Sequence, residues 1–228
     1  MRNLLIVLGL IIGMSSYASD LLYIGDSHSH IREENPVSAK RRFGNVFYEG
    51  MKSRGYEVSY YAACGSDPSD WINGSVTECG YTEVAGGKFL SVAKSPFPSV
   101  VNLYSSQSKI VINLGDNMFH WKTVAGKRVA EFNRYSFTTS TNSFLRLLKG
   151  ISPRNCTWIG PTYHIEGEIY FKANAVVDEF YENLKTHLAG RCSVIDSRPL
   201  VVPSVPNDGL HHVNGDSQAW AIGVLKQL

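Results

Sequence analysis

The strongest constraint on this chain is a series of short apolar runs that stop abruptly at Gly, Asp or Asn. Leu21-Leu22-Tyr23-Ile24 halts at Gly25-Asp26-Ser27, residues 57–64 halt at Gly65, and residues 109–114 halt at Gly115-Asp116-Asn117. Residues 157–160 and 193–196 are two further short runs. Apolar runs without alternation read as parallel strands buried on both faces. Stretches of helical period lie between them. One covers about 37–54, with Phe43, Val46, Phe47 and Met51 on one face and Gly55 as a stop. A second falls within 129–149, with Phe137, Thr141, Phe144, Leu145 and Leu148 in register. A third runs from about 168 to 188 with Val176, Val177, Phe180, Tyr181, Leu184 and Leu188 on one side, and a last helix covers about 216–226. Strands alternating with helices predict a three-layer α/β/α sandwich around a central five-stranded parallel sheet, because parallel neighbours need crossover helices. In such sheets ligands bind at the carboxyl ends of the strands. Ser27, Gly65 and Asn117 all fall just past predicted strand ends. Residues 65–108 show no clean period, apart from a hairpin expected about Gly86-Gly87. Connections of that length in a compact domain are usually functional or mobile.

The 228 residues suggest one domain, and a hydrophobic fraction of 43% is enough for a real core. A net charge of +2 argues against a nucleic-acid partner, and Lys40-Arg41-Arg42 reads as one solvated helix face. The chain opens like a targeting segment. Arg2 is followed by an apolar stretch over 4–14 that is too short to span a bilayer, and Ser16-Tyr17-Ala18 supplies small residues for a signal peptidase. The expectation is a signal peptide over 1–18, a single mature domain over 19–228, no lasting membrane anchor, and a secreted or periplasmic location. Disulfides persist in such a compartment. Four cysteines allow three pairings. Cys64–Cys79 would staple one long loop, and Cys156–Cys192 sit at matching depth in two apolar runs. No Cys-x-x-Cys spacing suggests zinc.

Gly25-Asp26-Ser27-His28-Ser29 resembles the Gly-Asp-Ser-x-Ser block of the SGNH (GDSL-type) hydrolases. Gly65 is similar to the lone glycine after the second strand of that family, and Gly115-Asp116-Asn117 to its Gly-x-Asn block. Asp208-Gly209-Leu210-His211 resembles its Asp-x-x-His block near the C-terminus. Order and spacing cover nearly all of the expected mature chain. One position departs: Met118 stands where the family often has Asp after the Asn. The resemblance implies a flavodoxin-like SGNH fold and a serine esterase. It implies Ser27 as nucleophile, His211 as base and Asp208 as the carboxylate that orients the imidazole. It also implies an oxyanion hole from the Ser27 and Gly65 backbone N–H groups and the Asn117 side chain. His212 is the solvated neighbour, or the base if the register shifts by one.

Two other chemistries fit some of these residues. Asp26, His28 and His30 have the look of an Asp-x-His-x-His metal motif, and Gly115-Asp116 could echo a metal-dependent phosphoesterase. Against that, Phe119 stands where a second Asp would be needed, and His120 and His164 lack partners at metal spacing. A non-catalytic carbohydrate-binding domain of the same fold is the third reading, with Trp71, Trp121, Tyr163 and His164 as aromatic or polar faces for sugar. No cofactor or resident metal is expected. The favoured substrate is an O-acetyl ester on a polysaccharide such as peptidoglycan. The acyl group then passes to water or to a sugar alcohol.

Overall fold

The computed structural model describes residues 19–31, 42–106, 108–166, 169–203, 210–212 and 214–228. In chain order the first elements are β1 (Ser19–Gly25), α1 (Phe43–Ser53), β2 (Tyr56–Ala63) and a single-turn helix α2 (Asp70–Asn73). The long connection then folds as β3 (Ser75–Thr77), β4 (Tyr81–Ala85), β5 (Lys88–Val92) and β6 (Ser95–Phe97). Next come β7 (Lys109–Asn113), β8 (His120–Val124), β9 (Lys127–Glu131) and α3 (Arg134–Leu147). The chain closes with β10 (Cys156–Ile159), β11 (Tyr170–Phe171), α4 (Asn174–Leu188), β12 (Ser193–Ile195) and α5 (Asn214–Leu225).

The main sheet has the order β12-β10-β7-β1-β2-β4-β5. Its first five strands are parallel, as the apolar runs predict. The β4–β5 hairpin adds two antiparallel strands at one edge, so the sheet has seven strands and not five. The hairpin turns at Gly86 and Gly87, both with positive φ.

Period two along β1 divides the core. Leu22 and Ile24 face a layer built from α3 and α4, where Phe137, Phe144, Val177, Phe180 and Leu184 are buried. Leu21 and Tyr23 face the opposite layer, where α1 and α5 bury Phe47, Met51, Trp220 and Val224. Each such side chain contributes about 1.5–3 kcal/mol by leaving water. This is why a central strand with no polar face holds its place between two neighbours.

Two helices start later than their periodicity suggests. Val129 and Ala130 belong to β9, and α3 begins only where Asn133 accepts a hydrogen bond from the Ser136 N–H at 3.0 Å. The start of α4 is displaced because Tyr170 and Phe171 pair with Arg128 and Val129 as a strand. The start expected near residue 37 for α1 lies outside the described residues; the described helix begins at Phe43.

Candidate active site

Everything chemical gathers past the ends of β1, β2 and β7. β1 stops at Gly25, where a Cβ would collide with the Ser29 side chain, so only glycine lets the next turn fold back this tightly. That turn is one 3-10 unit, Ser27–Ser29, capped by the Asp26 carboxylate, which accepts from the His28 N–H at 3.0 Å. Ser29 anchors it from below. Its hydroxyl meets Tyr23 Oη at 2.7 Å and accepts from Asn113 Nδ2 at 3.2 Å, and its carbonyl accepts from Tyr60 Oη at 2.5 Å. The Asp26 N–H also donates to the Asn113 carbonyl, tying the turn to β7. Buried polar groups satisfied this fully make a rigid mount.

Ser27 Oγ sits on that mount 3.0 Å from His211 Nε2. The neighbouring imidazole is turned elsewhere: His212 Nε2 meets Thr162 Oγ1 at 2.5 Å, and its ring stacks on His164 with centroids 4.3 Å apart. Burial, with the His28 charge nearby, pushes His212 down to about 3, so it stays neutral. His211, and not His212, therefore faces the serine. Asp208 lies outside the described residues.

Ser27 and His211 line a cleft of about 290 Å³ together with His30, Arg42 and both cysteines of the Cys64–Cys79 disulfide. Gly65 follows Cys64 with φ of 77°, a left-handed conformation that favours glycine. It lines a second cleft of about 240 Å³ that shares Cys64 and Cys79 with the first. Asn117 lies in the turn after β7, and its Nδ2 donates to the Ser66 carbonyl at 3.2 Å. An amide nitrogen carries two hydrogens, so this bond holds Asn117 against the Gly65 segment and leaves one donor over.

The aromatic positions lie elsewhere. Trp71 is fully buried, packs on Phe97 at 4.6 Å and donates from Nε1 to Ser66 Oγ at 3.1 Å, so it cannot stack on a sugar. The period-free stretch around it suggested a loop, but Trp71 lies in the short helix α2 and points into the core. Trp121 is half-buried on β8, edge-on to Tyr170. Tyr163 donates to Asp178 at 2.5 Å, and His164 meets Thr162 at 3.1 Å. None of the four lines the cleft that holds Ser27.

The proposed Asp26, His28 and His30 metal set is also dispersed. Asp26 caps its own turn, and His30 Nδ1 meets Thr82 Oγ1 on β4 at 3.0 Å. The fold instead brings His28, Asp116 and His164 together, with ligand-type atoms within 4.8 Å of one another. Linear spacing could not show this, because the three come from different strand ends. A cation already serves that carboxylate: the fully buried Lys172 ammonium lies on Asp116 Oδ1. His28 Nε2 lies 3.0 Å from Oδ2. Burial would raise the Asp116 pKa, but Lys172 and His28 hold it well below the usual carboxylate value. Burial alone would lower His28, and Asp116 and Asp26 more than offset that. Burial and Lys172 keep His164 well below the ordinary imidazole value. A site that binds a buried ammonium and a raised imidazole does not fit a divalent metal as well. No sequence signal marked Lys172; it follows two aromatic residues in a segment that read as the start of a helix.

No protein-family model matches the sequence, and no curated protein matches it. Solved structures do. A chain assigned as an arylesterase from Agrobacterium tumefaciens str. C58 is 14% identical, with a TM-score of 0.51 over 92% of this chain and 97% of that one. A carbohydrate acetylesterase family member from Sinorhizobium meliloti is 15% identical, with a TM-score of 0.53 over 92% and 96%. A carbohydrate esterase family 2 enzyme with its carbohydrate binding domain, from Corynascus thermopiles (Myceliophthora fergusii), is 16% identical with a TM-score of 0.52; the match covers 92% of this chain and 65% of that one. A mostly parallel sheet between two helical layers is thus the fold this chain has in common with these solved esterase structures.

Proposed function

We propose that this protein is a serine esterase that removes small acyl groups, O-acetyl above all, from carbohydrate. The observation that carries the reading is the 3.0 Å approach of Ser27 Oγ to His211 Nε2, at the end of a strand and in an open cleft. A hydroxyl is a poor nucleophile until a base takes its proton. His211 accepts that proton as Ser27 Oγ bonds to the ester carbonyl carbon, and the carbonyl oxygen becomes an oxyanion. The Ser27 and Gly65 N–H groups and Asn117 Nδ2 are its donors. Collapse breaks the bond to the alcohol, which leaves with the proton from His211. Water, or a sugar hydroxyl, then attacks the acyl-Ser27 by the same route in reverse. Asp208 holds the His211 ring and offsets its charge.

The class of substrate takes support from the two structural neighbours described as carbohydrate esterases. The location takes support from the disulfides Cys64–Cys79 and Cys156–Cys192, which persist outside the reducing cytosol. Among the described residues no helix is long and apolar enough to cross a membrane. Cleavage after Ala18 would leave β1 whole, since that strand begins at Ser19.

The test is a panel of 4-nitrophenyl esters of rising acyl length, read beside acetate release from acetylated glycans. Wild type is expected to prefer acetyl and to be labelled at Ser27 by a serine-directed phosphonate. Ser27→Ala should lose at least about 10⁴-fold in kcat, as a missing nucleophile does. Turnover that survives Ser27→Ala would refute the assignment.

A further inference from the structure

Two residues of the site have titratable neighbours in sequence, and those neighbours touch. His28 follows Ser27, and Asp116 precedes Asn117. The turns that carry them end adjacent parallel strands, β1 and β7. His28 Nε2 reaches Asp116 Oδ2 at 3.0 Å, and Lys172 takes Oδ1 from the other side. The three side chains are 3%, 3% and 0% exposed. Lys172 arrives from just past β11, a strand of the small β8–β9–β11 sheet outside the main one, and its ammonium lies over the Phe119 ring at 5.2 Å. The His28 ring neighbours the proposed base, its centroid 5.1 Å from that of His211.

We propose that Lys172, Asp116 and His28 form a buried ionic strap that fixes the distance between the nucleophile Ser27 and the oxyanion donor Asn117. All three are positioning residues, not catalytic ones, and the inference rests on the serine-esterase reading. Stability alone does not account for the strap. Apolar side chains of the same volume would serve the fold as well or better, because burying charges costs several kcal/mol per ion. A charged chain does what a greasy contact does not: it resists sliding of one turn against the other, since each ångström of separation leaves a buried charge uncompensated. Lys172 makes the buried carboxylate tolerable, and Asp116 grips His28. The strap acts across the two turns whose spacing an attacking oxygen and a developing oxyanion both depend on. A misplacement of about 1 Å there costs on the order of 10²-fold in rate.

The experiment is a cycle of three proteins against wild type: His28→Gln, the charge-neutral pair Asp116→Asn with Lys172→Met, and all three changes together. Folding is followed by thermal unfolding, active sites are counted with the serine-directed phosphonate, and kcat and KM are measured on 4-nitrophenyl acetate. The expected result is a kcat per titrated site about 10–100-fold lower for His28→Gln and for the pair, with KM within about twofold. The combined variant should lose no more than the worse of the two, because both cut one strap. The pair removes opposite charges together, so it keeps a folded protein to measure even if His28→Gln unfolds. Additive losses, or a lowered melting temperature with unchanged kcat per titrated site, would overturn the strap and leave the esterase standing. Absence of both turnover and Ser27 labelling in wild type would overturn the esterase, and the strap with it.

Discussion

The two disulfides put one kind of bond to two different uses. Cys156 opens β10 and Cys192 precedes β12, at the amino ends of two neighbouring parallel strands, and both are buried in the core. Cys64 and Cys79 stand at the opposite end of the sheet and line both clefts. The Cys64 N–H donates to the Gly80 carbonyl and its own carbonyl accepts from Thr77 Oγ1, so this bridge holds the segment that continues into Gly65. One bridge closes a long stretch of chain far from the chemistry, and the other fixes the backbone beside it. Position relative to the strand ends, and not the bond itself, decides whether a crosslink lies in the core or beside the cleft.

That contrast can be broken at the cleft first. Asn117→Ala removes the side chain that braces the Gly65 segment and is proposed to meet the oxyanion. It should cut kcat by about 10²–10³ with little change in melting temperature; ester turnover within a few-fold of wild type would remove Asn117 from the site. Replacing both Cys156 and Cys192 with Ala should cost about 4 kcal/mol of stability, from the 36-residue separation they close, and leave kcat per titrated site unchanged. Chemical denaturation and phosphonate titration read the two halves separately. Replacing Cys64 and Cys79 closes a shorter separation of 15 residues and should cost about 3 kcal/mol. Here kcat should also fall about tenfold, because Gly65 loses its anchor. Equal kinetics for the two disulfide variants would erase the distinction.

The smallest effect expected is acid sensitivity confined to the cleft end. His212 is pushed down to about 3 and His164 lies well below the ordinary value, in both by burial first and by the nearby Lys172 and His28 charges second. The unfolded chain therefore binds more protons than the folded one as pH falls below about 6.5, and stability falls with it. Asp26, raised to about 6 by burial, works in the opposite direction between about 4 and 6. His28, raised by Asp116 and Asp26, also opposes them, but its gain comes mostly above about 6.5, so below that the two lowered imidazoles set the sign. The melting temperature should be lower at pH 5 than at pH 7, and His212→Asn should flatten that dependence; a slope unchanged by the substitution would mean that other groups set it.

Much of the architecture was legible because buried strands and amphipathic helices write their periods directly into the chain. The run before Gly25 and the run before Gly115 become β1 and β7, and Phe43, Phe47 and Met51 do face the core. The edge hairpin was marked by its glycines, but its place in the main sheet was not, since nothing local says which edge a hairpin joins. Trp71 was misread for a related reason: a stretch without period carries no signal of burial, and the indole became core only through Phe97 and Ser66.

What the sequence by itself determined is the alternation of elements and the places where strands end, because both follow from local steric and hydrophobic rules. Those rules put Ser27, Gly65 and Asn117 just beyond strand ends. Only the tertiary structure decided what they meet. It turned His211 toward Ser27 and His212 toward Thr162, gathered His28, Asp116 and Lys172 from three strand ends into one buried cluster, and left Trp71 without a surface. Such contacts join residues far apart in the chain. Their energy depends on distance and burial in the folded state, and neither quantity exists in a linear string.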